Sequence, residues 1–161
     1  MHDPKCVAVR AVFEGPEVSG ELLVLDEPLS YWGGLCPLSG RIIDAHHPQS
    51  GLCVTGLLLV MPGTRGSTAS PGALLETLYS GYGPAAIITP APDIATLLAV
   101  YQAQCLDQPP TPVLTFSDQQ GTWGMDVLHT GDRWRYSPTT RLLTPLDDSR
   151  SESRQRNECH Q

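Results

Sequence analysis

The segment best suited to chemistry is residues 62–70, with the sequence PGTRGSTAS. It joins an apolar stretch, residues 54–61, to a predicted helix start, the position at which open α/β sheets bind ligands. Glycines let the backbone approach a ligand closely, and the N–H groups of a helix N-terminus attract an anion. The side-chain donors here are Arg65, Ser67, Thr68 and Ser70. There is no Gly-Lys-Ser/Thr as in a Walker loop, so a carboxylate or phosphate site and a ligand-free capped turn both remain open.

A second segment, residues 29–48, combines an indole, a guanidinium, a carboxylate and two imidazoles with several glycines. A loop of this length inside a compact domain is uncommon unless it is functional, and its composition suggests a site or an interface. Adjacent histidines in extended chain point to opposite sides, which favours a structural or interfacial role over metal ligation. The indole is more often a packing anchor of a loop than a platform for a ligand. The residues concerned are Trp32, Arg41, Asp44, His46 and His47.

The elements that must position these two loops follow an α/β pattern. Alternating or continuous apolar runs predict strands at residues 6–13, 20–26, 54–61, 85–89 and 111–116. Two helices lie between the last three strands, and the order strand, helix, strand, helix, strand predicts a parallel sheet.

Each predicted helix has start and stop signals. Ser70 as N-cap, Pro71 at the first position and Gly81 after the last turn delimit the first helix. Asp93 is expected to cap the second helix. The apolar stripes are expected at Leu74, Leu75 and Leu78 in the first helix and at Ile94, Leu97, Leu98 and Tyr101 in the second.

The sequence after Phe116 carries weaker signals. A hairpin is expected within residues 121–136, turning at residues 130–132, and the polar residues 147–161 predict a disordered tail. The predicted organisation is therefore one main domain over residues 1–116, a C-terminal extension over 117–146 and a tail over 147–161.

Composition excludes several classes of protein. Seventeen acidic residues against ten basic ones give a net charge of −7 without a basic stripe, which excludes nucleic acid as the main partner. The N-terminus has no apolar signal region and the longest apolar run is too short to cross a bilayer, so we expect a cytoplasmic protein without a membrane partner. The five cysteines form no C-x-x-C, which predicts reduced thiols and no metal site on this chain alone.

At the two loops the sequence resembles the small subunit, or swivel domain, of aconitase X, a branch of the aconitase superfamily. The matching motifs are DEPLSYWGG at 26–34, GRIID at 40–44 with His47-Pro48, Arg65-Gly66-Ser67, and GPAAII at 83–88. They occur in the family's order and span about residues 7–113. The resemblance implies a swivelling β/β/α domain, with layered sheets and helices.

The resemblance also implies a two-part lyase that dehydrates a small β-hydroxy acid. An aconitase X large subunit would hold an iron–sulfur cluster on its own cysteines, and this chain would close over it and be active only with it. The cluster iron would act as a Lewis acid on the leaving hydroxyl. The absence of a C-x-x-C from this chain fits that division of labour.

The family's pattern assigns the catalytic serine to Ser67. A serine hydroxyl is a poor base unless its alkoxide is stabilised, and a helix N-terminus and a neighbouring guanidinium would supply such stabilisation. We expect the neighbouring residues to bind substrate and the second loop to form the domain closure or the partner interface. The expected substrate-binding residues are Arg65, Gly66, Thr68 and Ser70, and the closure residues are Trp32, Arg41, Asp44 and His47.

Several alternatives stay open. The family acts on cis-3-hydroxy-L-proline in bacteria and on mevalonate 5-phosphate in archaea. Nine arginines against one lysine are typical of a high-GC bacterial chain and favour hydroxyproline. A non-catalytic swivel module that binds an anion is a second class of function. A mobile phosphohistidine domain would use His46 or His47, but it expects a Thr-Ser-His loop, whereas His47 precedes Pro48.

Overall fold

The computed structural model describes residues 6–117 and 123–146, which contain seven strands and four helices. The strands are β1 (Val7–Phe13), β2 (Val18–Val24), β3 (Leu58–Val60), β4 (Ala86–Thr89), β5 (Val113–Phe116), β6 (Arg133–Ser137) and β7 (Leu142–Pro145). The helices are α1 (Tyr31–Gly34), α2 (Ser70–Tyr79), α3 (Ile94–Cys105) and α4 (Trp123–Val127). The tail predicted at residues 147–161 lies outside the described residues.

The strands pair in a closed ring in the order β1, β5, β4, β3, β2, β6, β7. Strands β2, β3, β4 and β5 are parallel neighbours, which confirms the predicted parallel sheet. Strands β6 and β7 pair antiparallel with each other, with β2 and with β1. The α/β class is confirmed, but the sheets are not separate layers, because β1 and β2 each pair on both sides and close them into one barrel.

Two apolar clusters explain why the central strands have continuous apolar sequences. One cluster fills the barrel and takes residues from all seven strands, including Leu22, Val60 and Trp134. The other lies between the parallel strands, the helices α2 and α3, and the chain that follows β2. Strands β3 and β4 are buried along their whole length because their side chains enter both clusters, whereas β5, which is equally buried, contributes residues to the barrel cluster only.

Strand β3 is shorter than the run of residues 54–61 predicted. Gly56 has a φ of 71°, and the N–H of Leu57 donates to the carbonyl of Val54 at 3.1 Å. Residues 54–57 therefore turn before the strand begins. The apolar residue Val54 is buried in the helix-side cluster instead of in a strand.

The start of α2 differs from the predicted one. Ser70 is the first helical residue rather than the N-cap, and Ala69 is the N-cap. The hydroxyl of Ser67 accepts the N–H of Ala69 at 3.0 Å, so this serine rather than Ser70 supplies the local side-chain bond. The expected end is confirmed, since Gly81 follows the helix with a φ of 81°.

The predicted apolar stripe of α3 faces outward, although its cap is confirmed. The carboxylate of Asp93 accepts the N–H of Thr96 at 2.9 Å. Ile94 is 82% exposed and Tyr101 58% exposed, whereas the buried side of the helix carries small residues such as Ala99 and Ala103. Small side chains let the helix lie close to the sheet and to α2. The close packing gained in this way outweighs the burial that the larger apolar side chains would gain if they faced inward.

The hairpin in the C-terminal part turns later than predicted. Strands β6 and β7 are joined at residues 138–141, where Arg141 has a φ of 56° and its N–H donates to the carbonyl of Ser137 at 2.8 Å. Gly131 lies in a turn before β6, and its N–H donates to the carbonyl of Leu22. The turn predicted at residues 130–132 therefore leads into the barrel instead of joining two strands of a hairpin.

Gly40 provides a test of the packing of the chain between β2 and β3. Its φ is 67°, and a Cβ added there would meet the hydroxyl of Thr55 and lie 2.6 Å from the carbonyl oxygen of Tyr82. We expect Gly40→Ala to lower the free energy of unfolding by more than about 2 kcal/mol, since both strain and overlap act. Gly51→Ala, with a φ of 89° and open space around it, should show only the strain, about 1 kcal/mol. Equal effects in urea denaturation would contradict the overlap.

Candidate active site

The segment that contains Ser67 is held against the chain that follows β2. We call residues 62–69 the serine loop and residues 25–57 the long loop. The N–H of Leu29 donates to the carbonyl of Gly63, and the N–H of Arg65 donates to the carbonyl of Leu29, each at 3.2 Å. The two loops are therefore paired like short parallel strands at Leu29 and Thr64.

Gly66 permits a close crossing of the two loops. Its φ is 101°, and a Cβ at this position would lie 2.9 Å from the hydroxyl oxygen of Ser30. That hydroxyl donates to the carbonyl of Trp32 at 2.8 Å, which fixes its position. A side chain at residue 66 would push the serine loop away from the long loop.

Ser67 lies on the surface just before α2. Its hydroxyl oxygen accepts the N–H of Ala69 at 3.0 Å, and its carbonyl accepts the N–H of Ser70 at 3.0 Å. A backbone N–H and a helix N-terminus both favour negative charge on the serine oxygen. These two contacts therefore lower the free energy of an alkoxide at Ser67 relative to a serine that lacks them.

The other hydroxyls of this segment differ in access. Thr68 is exposed beside Ser67, whereas Ser70 is buried and its hydroxyl has no hydrogen-bond partner. The structure thus presents Ser67 and Thr68 at the surface and places Ser70 inside.

The guanidinium of Arg65 pairs with two carboxylates of the long loop. Its nitrogens lie 3.1 Å from a carboxylate oxygen of Asp44 and 3.6 Å from one of Glu27. The second oxygen of Asp44 accepts the N–H of His46 at 2.9 Å, and this bond, together with Arg65, lowers the pKa of Asp44. Ion pairs this exposed add little to stability, so their effect is to orient the two loops.

Asp93 joins the serine loop to α3. One oxygen accepts the N–H of Thr96 at 2.9 Å, and the other accepts both the hydroxyl of Thr64 at 2.6 Å and its N–H at 3.1 Å. Burial by itself raises the pKa of Asp93, but the hydrogen bonds from Thr64 and Thr96 outweigh it and the pKa is lowered. Asp93 is therefore held as a carboxylate.

The same turn of α3 also anchors the long loop. The phenol of Tyr31 is fully buried and lies 2.8 Å from the hydroxyl of Thr96, and burial raises its pKa. The next residue, Trp32, is 61% exposed. The loop is thus fixed from inside while its indole faces outward.

The remaining residues expected at a closure, Arg41 and His47, contact the backbone of the long loop rather than the serine loop. His47 is buried, its Nδ1 accepts the N–H of Gln49, and its Nε2 lies 3.2 Å from the carbonyl of Glu27, so it braces the long loop. Arg41 donates to the carbonyl of Gly51 at 2.8 Å and lines a cleft beside β2. No hydrogen bond or ion pair among the described residues joins Arg41 to the serine loop.

Residues 6–117 and 123–146 contain no group of three His, Cys, Asp or Glu side chains that could hold a metal ion. Of the described cysteines, Cys6, Cys36 and Cys105 are free thiols, and the thiol of Cys53 donates to the carbonyl of Ser39 at 3.3 Å. The donor set of an iron–sulfur cluster is therefore not assembled within this part of the chain.

Sequence reasoning missed three residues that organise the site. They are Glu27, which pairs with Arg65, Ser30, which lies against Gly66, and Thr64, which donates to Asp93. Asp93 was expected only as a helix cap. Its bonds to Thr64 join residues 29 positions apart, and no local spacing predicts such a contact.

The family follows from comparison with known proteins. A family model described as the aconitase X swivel domain matches residues 7–143, which include both loops and the strands of the barrel. The chain belongs to this family.

Two relatives of this swivel domain carry different names. A cis-3-hydroxy-L-proline dehydratase of Pseudomonas aeruginosa is 41% identical over 104 residues, which are 65% of this chain and 18% of that protein. A phosphomevalonate dehydratase small subunit of Methanothermobacter thermautotrophicus is 37% identical over 97 residues, 59% of this chain and 74% of that one. The chain thus spans less than a fifth of the length of the first relative and most of the second.

A solved structure shares the fold of the swivel domain. The crystal structure of Thermococcus kodakaraensis aconitase X in its holo form superposes with a TM-score of 0.73, covering 88% of this chain and 98% of that chain at 24% identity. At that identity the likeness concerns the fold alone. Within the described residues, no helix is both long and apolar enough to span a membrane.

The substitution Asp93→Asn separates the two roles of Asp93, which caps α3 at Thr96 and holds Thr64 of the serine loop. The amide oxygen can still accept from Thr96 and cap α3, but its NH₂ group would face the N–H of Thr64. We expect the free energy of unfolding to fall by about 1 kcal/mol, because that N–H loses its acceptor. Asp93→Ala should remove about 1 kcal/mol more, because the cap is lost as well. Equal stability of the two variants in urea denaturation would contradict this division.

The lowered pKa of Asp93 also predicts a dependence of stability on pH. A carboxyl group whose pKa is lower in the folded chain stabilises it fully above the unfolded value, about 3.9, and loses this effect as pH falls through the folded value. Below about pH 4 the wild-type chain should therefore lose stability more steeply than Asp93→Asn. The exposed Glu17→Gln is the control for removal of one negative charge, and it should keep the wild-type slope.

Proposed function

We propose that this chain is the small, swivel subunit of an aconitase X-type hydro-lyase that dehydrates a β-hydroxy acid. The observation that carries the proposal is the exposed hydroxyl of Ser67, held by a backbone N–H at 3.0 Å before α2 in a member of the aconitase X swivel family. The activity would require an aconitase X large subunit. The barrel and its outer helices α2 and α3 support a swivel role, since they form a mixed α/β domain with the fold of a solved aconitase X chain.

In this proposal Ser67 is the base that removes the proton α to the substrate carboxylate. The N–H of Ala69 and the N-terminus of α2 lower the free energy of its alkoxide. Gly66 lets the loop lie against Ser30 and keeps the serine at the surface. The substrate carboxylate would be bound by Thr68 and by the donors of Arg65 that its ion pairs leave accessible. Ser70 could take part only after the serine loop moves, because its hydroxyl is buried.

The long loop would form the closure with the large subunit. Trp32 has an exposed indole and follows the buried anchor Tyr31 in the chain. Tryptophan is a residue type that is enriched at protein interfaces. Asp44 orients Arg65 at the same edge. His47 would act indirectly, because both of its ring nitrogens lie against backbone of the long loop. Arg41 would support the part of the long loop around Gly51, to whose carbonyl it donates.

The substrate we propose first is cis-3-hydroxy-L-proline. The similarity to the Pseudomonas protein and the excess of arginine over lysine support it. The second candidate is mevalonate 5-phosphate. It is favoured by the relative from Methanothermobacter, which is itself named a small subunit and most of whose length this chain spans.

The cofactor of such an enzyme would be an iron–sulfur cluster on the large subunit, where it would polarise the leaving hydroxyl. The described residues of this chain do not fit such a group as ligands. Their proposed work is to bind the carboxylate, hold the serine loop and accept the α proton at Ser67.

Replacement of the serine tests the proposal. In the complex co-expressed with an aconitase X large subunit, Ser67→Ala should lower kcat at least about a thousandfold with assembly unchanged, because the proton acceptor is removed. Turnover is measured with cis-3-hydroxy-L-proline and with mevalonate 5-phosphate, and assembly by size-exclusion chromatography. The matched control is Ser19→Ala at an exposed position of β2.

The outcomes separate the candidate functions. Near-normal kcat in Ser67→Ala would overturn the assignment of the base. Turnover of only one substrate by the wild-type complex would decide between the two acids. Binding of a carboxylate without turnover of either would favour the non-catalytic swivel module.

A further inference from the structure

A transverse row of polar side chains interrupts the otherwise apolar outer face of the parallel strands. Thr89 of β4 is in register with Thr115 of β5, and Thr115 is in register with Arg10 of β1. Paired residues of neighbouring strands present their side chains on the same face. The row lies near the carboxyl ends of β4 and β5, at the edge from which the serine loop leaves β3.

The two threonines of this row differ in their hydrogen bonds. Thr89 donates to the carbonyl of Ala91 at 2.8 Å and so fixes residues 90–92. Thr115 is 1% exposed and its hydroxyl has no partner. A buried hydroxyl without a partner costs stability, and such groups call for an explanation in function.

Arg10 is an isolated positive charge at the end of the row. It is exposed, and the ion pairs found in residues 6–117 and 123–146 involve Arg65 and Arg141 instead. Arg41, Arg133 and Arg135 likewise form no ion pair among the described residues, so what sets Arg10 apart is its place at the end of this row.

A cleft of about 410 Å³ lies over the row. Among the described residues its lining contains one cation and no acid: Arg10, Pro90, Ala91, Pro92, Thr115, Phe116 and Ser117. Both of its rims are fixed, one by Thr89 and the other by the N–H of Ser117, which donates to the carbonyl of Ala8 at 3.1 Å. The cleft is thus formed before any ligand arrives, with the guanidinium of Arg10 in its lining.

We propose that this cleft binds an oxyanion, with the guanidinium of Arg10 as its charged donor and the buried hydroxyl of Thr115 as a second donor once its side chain turns into the cleft. Neighbouring strands lie about 4.8 Å apart, so the ends of β3 and β5 are separated by roughly 10 Å. A substrate that holds its reacting carbon at Ser67 could place a distal phosphate here. This last step rests on the proposed function, whereas oxyanion binding by the cleft does not.

The first experiment uses the full chain and inorganic phosphate. Titration followed by NMR should show saturable binding, which Arg10→Gln weakens at least about tenfold, because the charge and its hydrogen bonds are lost. Arg135→Gln, at an exposed position of β6, removes the same charge elsewhere and should bind as the wild type does. Equal weakening in both variants, or none in Arg10→Gln, would overturn the proposal.

The threonines give a second readout. Thr115→Val should weaken phosphate binding severalfold and leave the melting temperature unchanged or higher, since its hydroxyl has no partner to lose. Thr89→Val should lower the melting temperature, because it breaks the bond to Ala91. A Thr115→Val chain that loses stability as Thr89→Val does, with unchanged phosphate binding, would overturn the role of Thr115.

The source of the oxyanion is identified in the complex with the large subunit. If the cleft takes a distal phosphate of the substrate, mevalonate 5-phosphate should bind more tightly than mevalonate, and Arg10→Gln should remove the difference. Equal binding of the two compounds would assign the cleft to free phosphate. Because the titration of the isolated chain needs neither partner nor turnover, failure of the dehydratase proposal would leave its result intact.

Discussion

The carboxylate of Asp93 accepts hydrogen bonds from the first turn of its own helix and from Thr64, which lies 29 residues earlier in the sequence. One oxygen caps α3 at Thr96, and the other holds Thr64 of the serine loop. The hydroxyl of Thr96 meets the buried phenol of Tyr31, so the long loop is fastened to the same helix turn. A shift of this turn would move both loops together. The N-terminus of α3 therefore holds both loops, in addition to the direct pairing of the loops at Leu29 and Thr64.

The barrel explains why that helix turn is a firm support. Strands β3, β4 and β5 are buried on both faces, and the cluster under α2 and α3 extends into the long loop through Leu29, Tyr31 and Ile42. The loop has little regular secondary structure, yet its apolar side chains belong to the core. Its rigidity thus comes from burial, while the polar residues around Arg65 are left at the surface to orient neighbouring groups.

Features encoded locally were predictable from the sequence, and features created by distant contacts were not. The junction of a buried strand with a helix drew attention to Ser67, and Asp93 was recognised as a cap because the N–H that donates to it, that of Thr96, lies only three residues away. The outward stripe of α3 was not foreseen, because its orientation depends on how closely Ala99 and Ala103 approach other elements. The closure of the barrel by β6 and β7 depends on pairing with β1 and β2, more than a hundred residues earlier. The pairing of Arg65 with Glu27 and Asp44 likewise required the fold.

That pairing bears on how Ser67 could become a base. Arg65 beside Glu27 and Asp44 is one cation with two anions, so the group carries a net negative charge next to the serine loop. A negative neighbour disfavours an alkoxide, and the N–H of Ala69 with the N-terminus of α2 must oppose it. In the separate chain Ser67 should therefore remain a neutral hydroxyl. If a partner surface or a substrate carboxylate drew Arg65 away from the two acids, its charge would become available near Ser67. Domain closure and formation of the base would then be the same event.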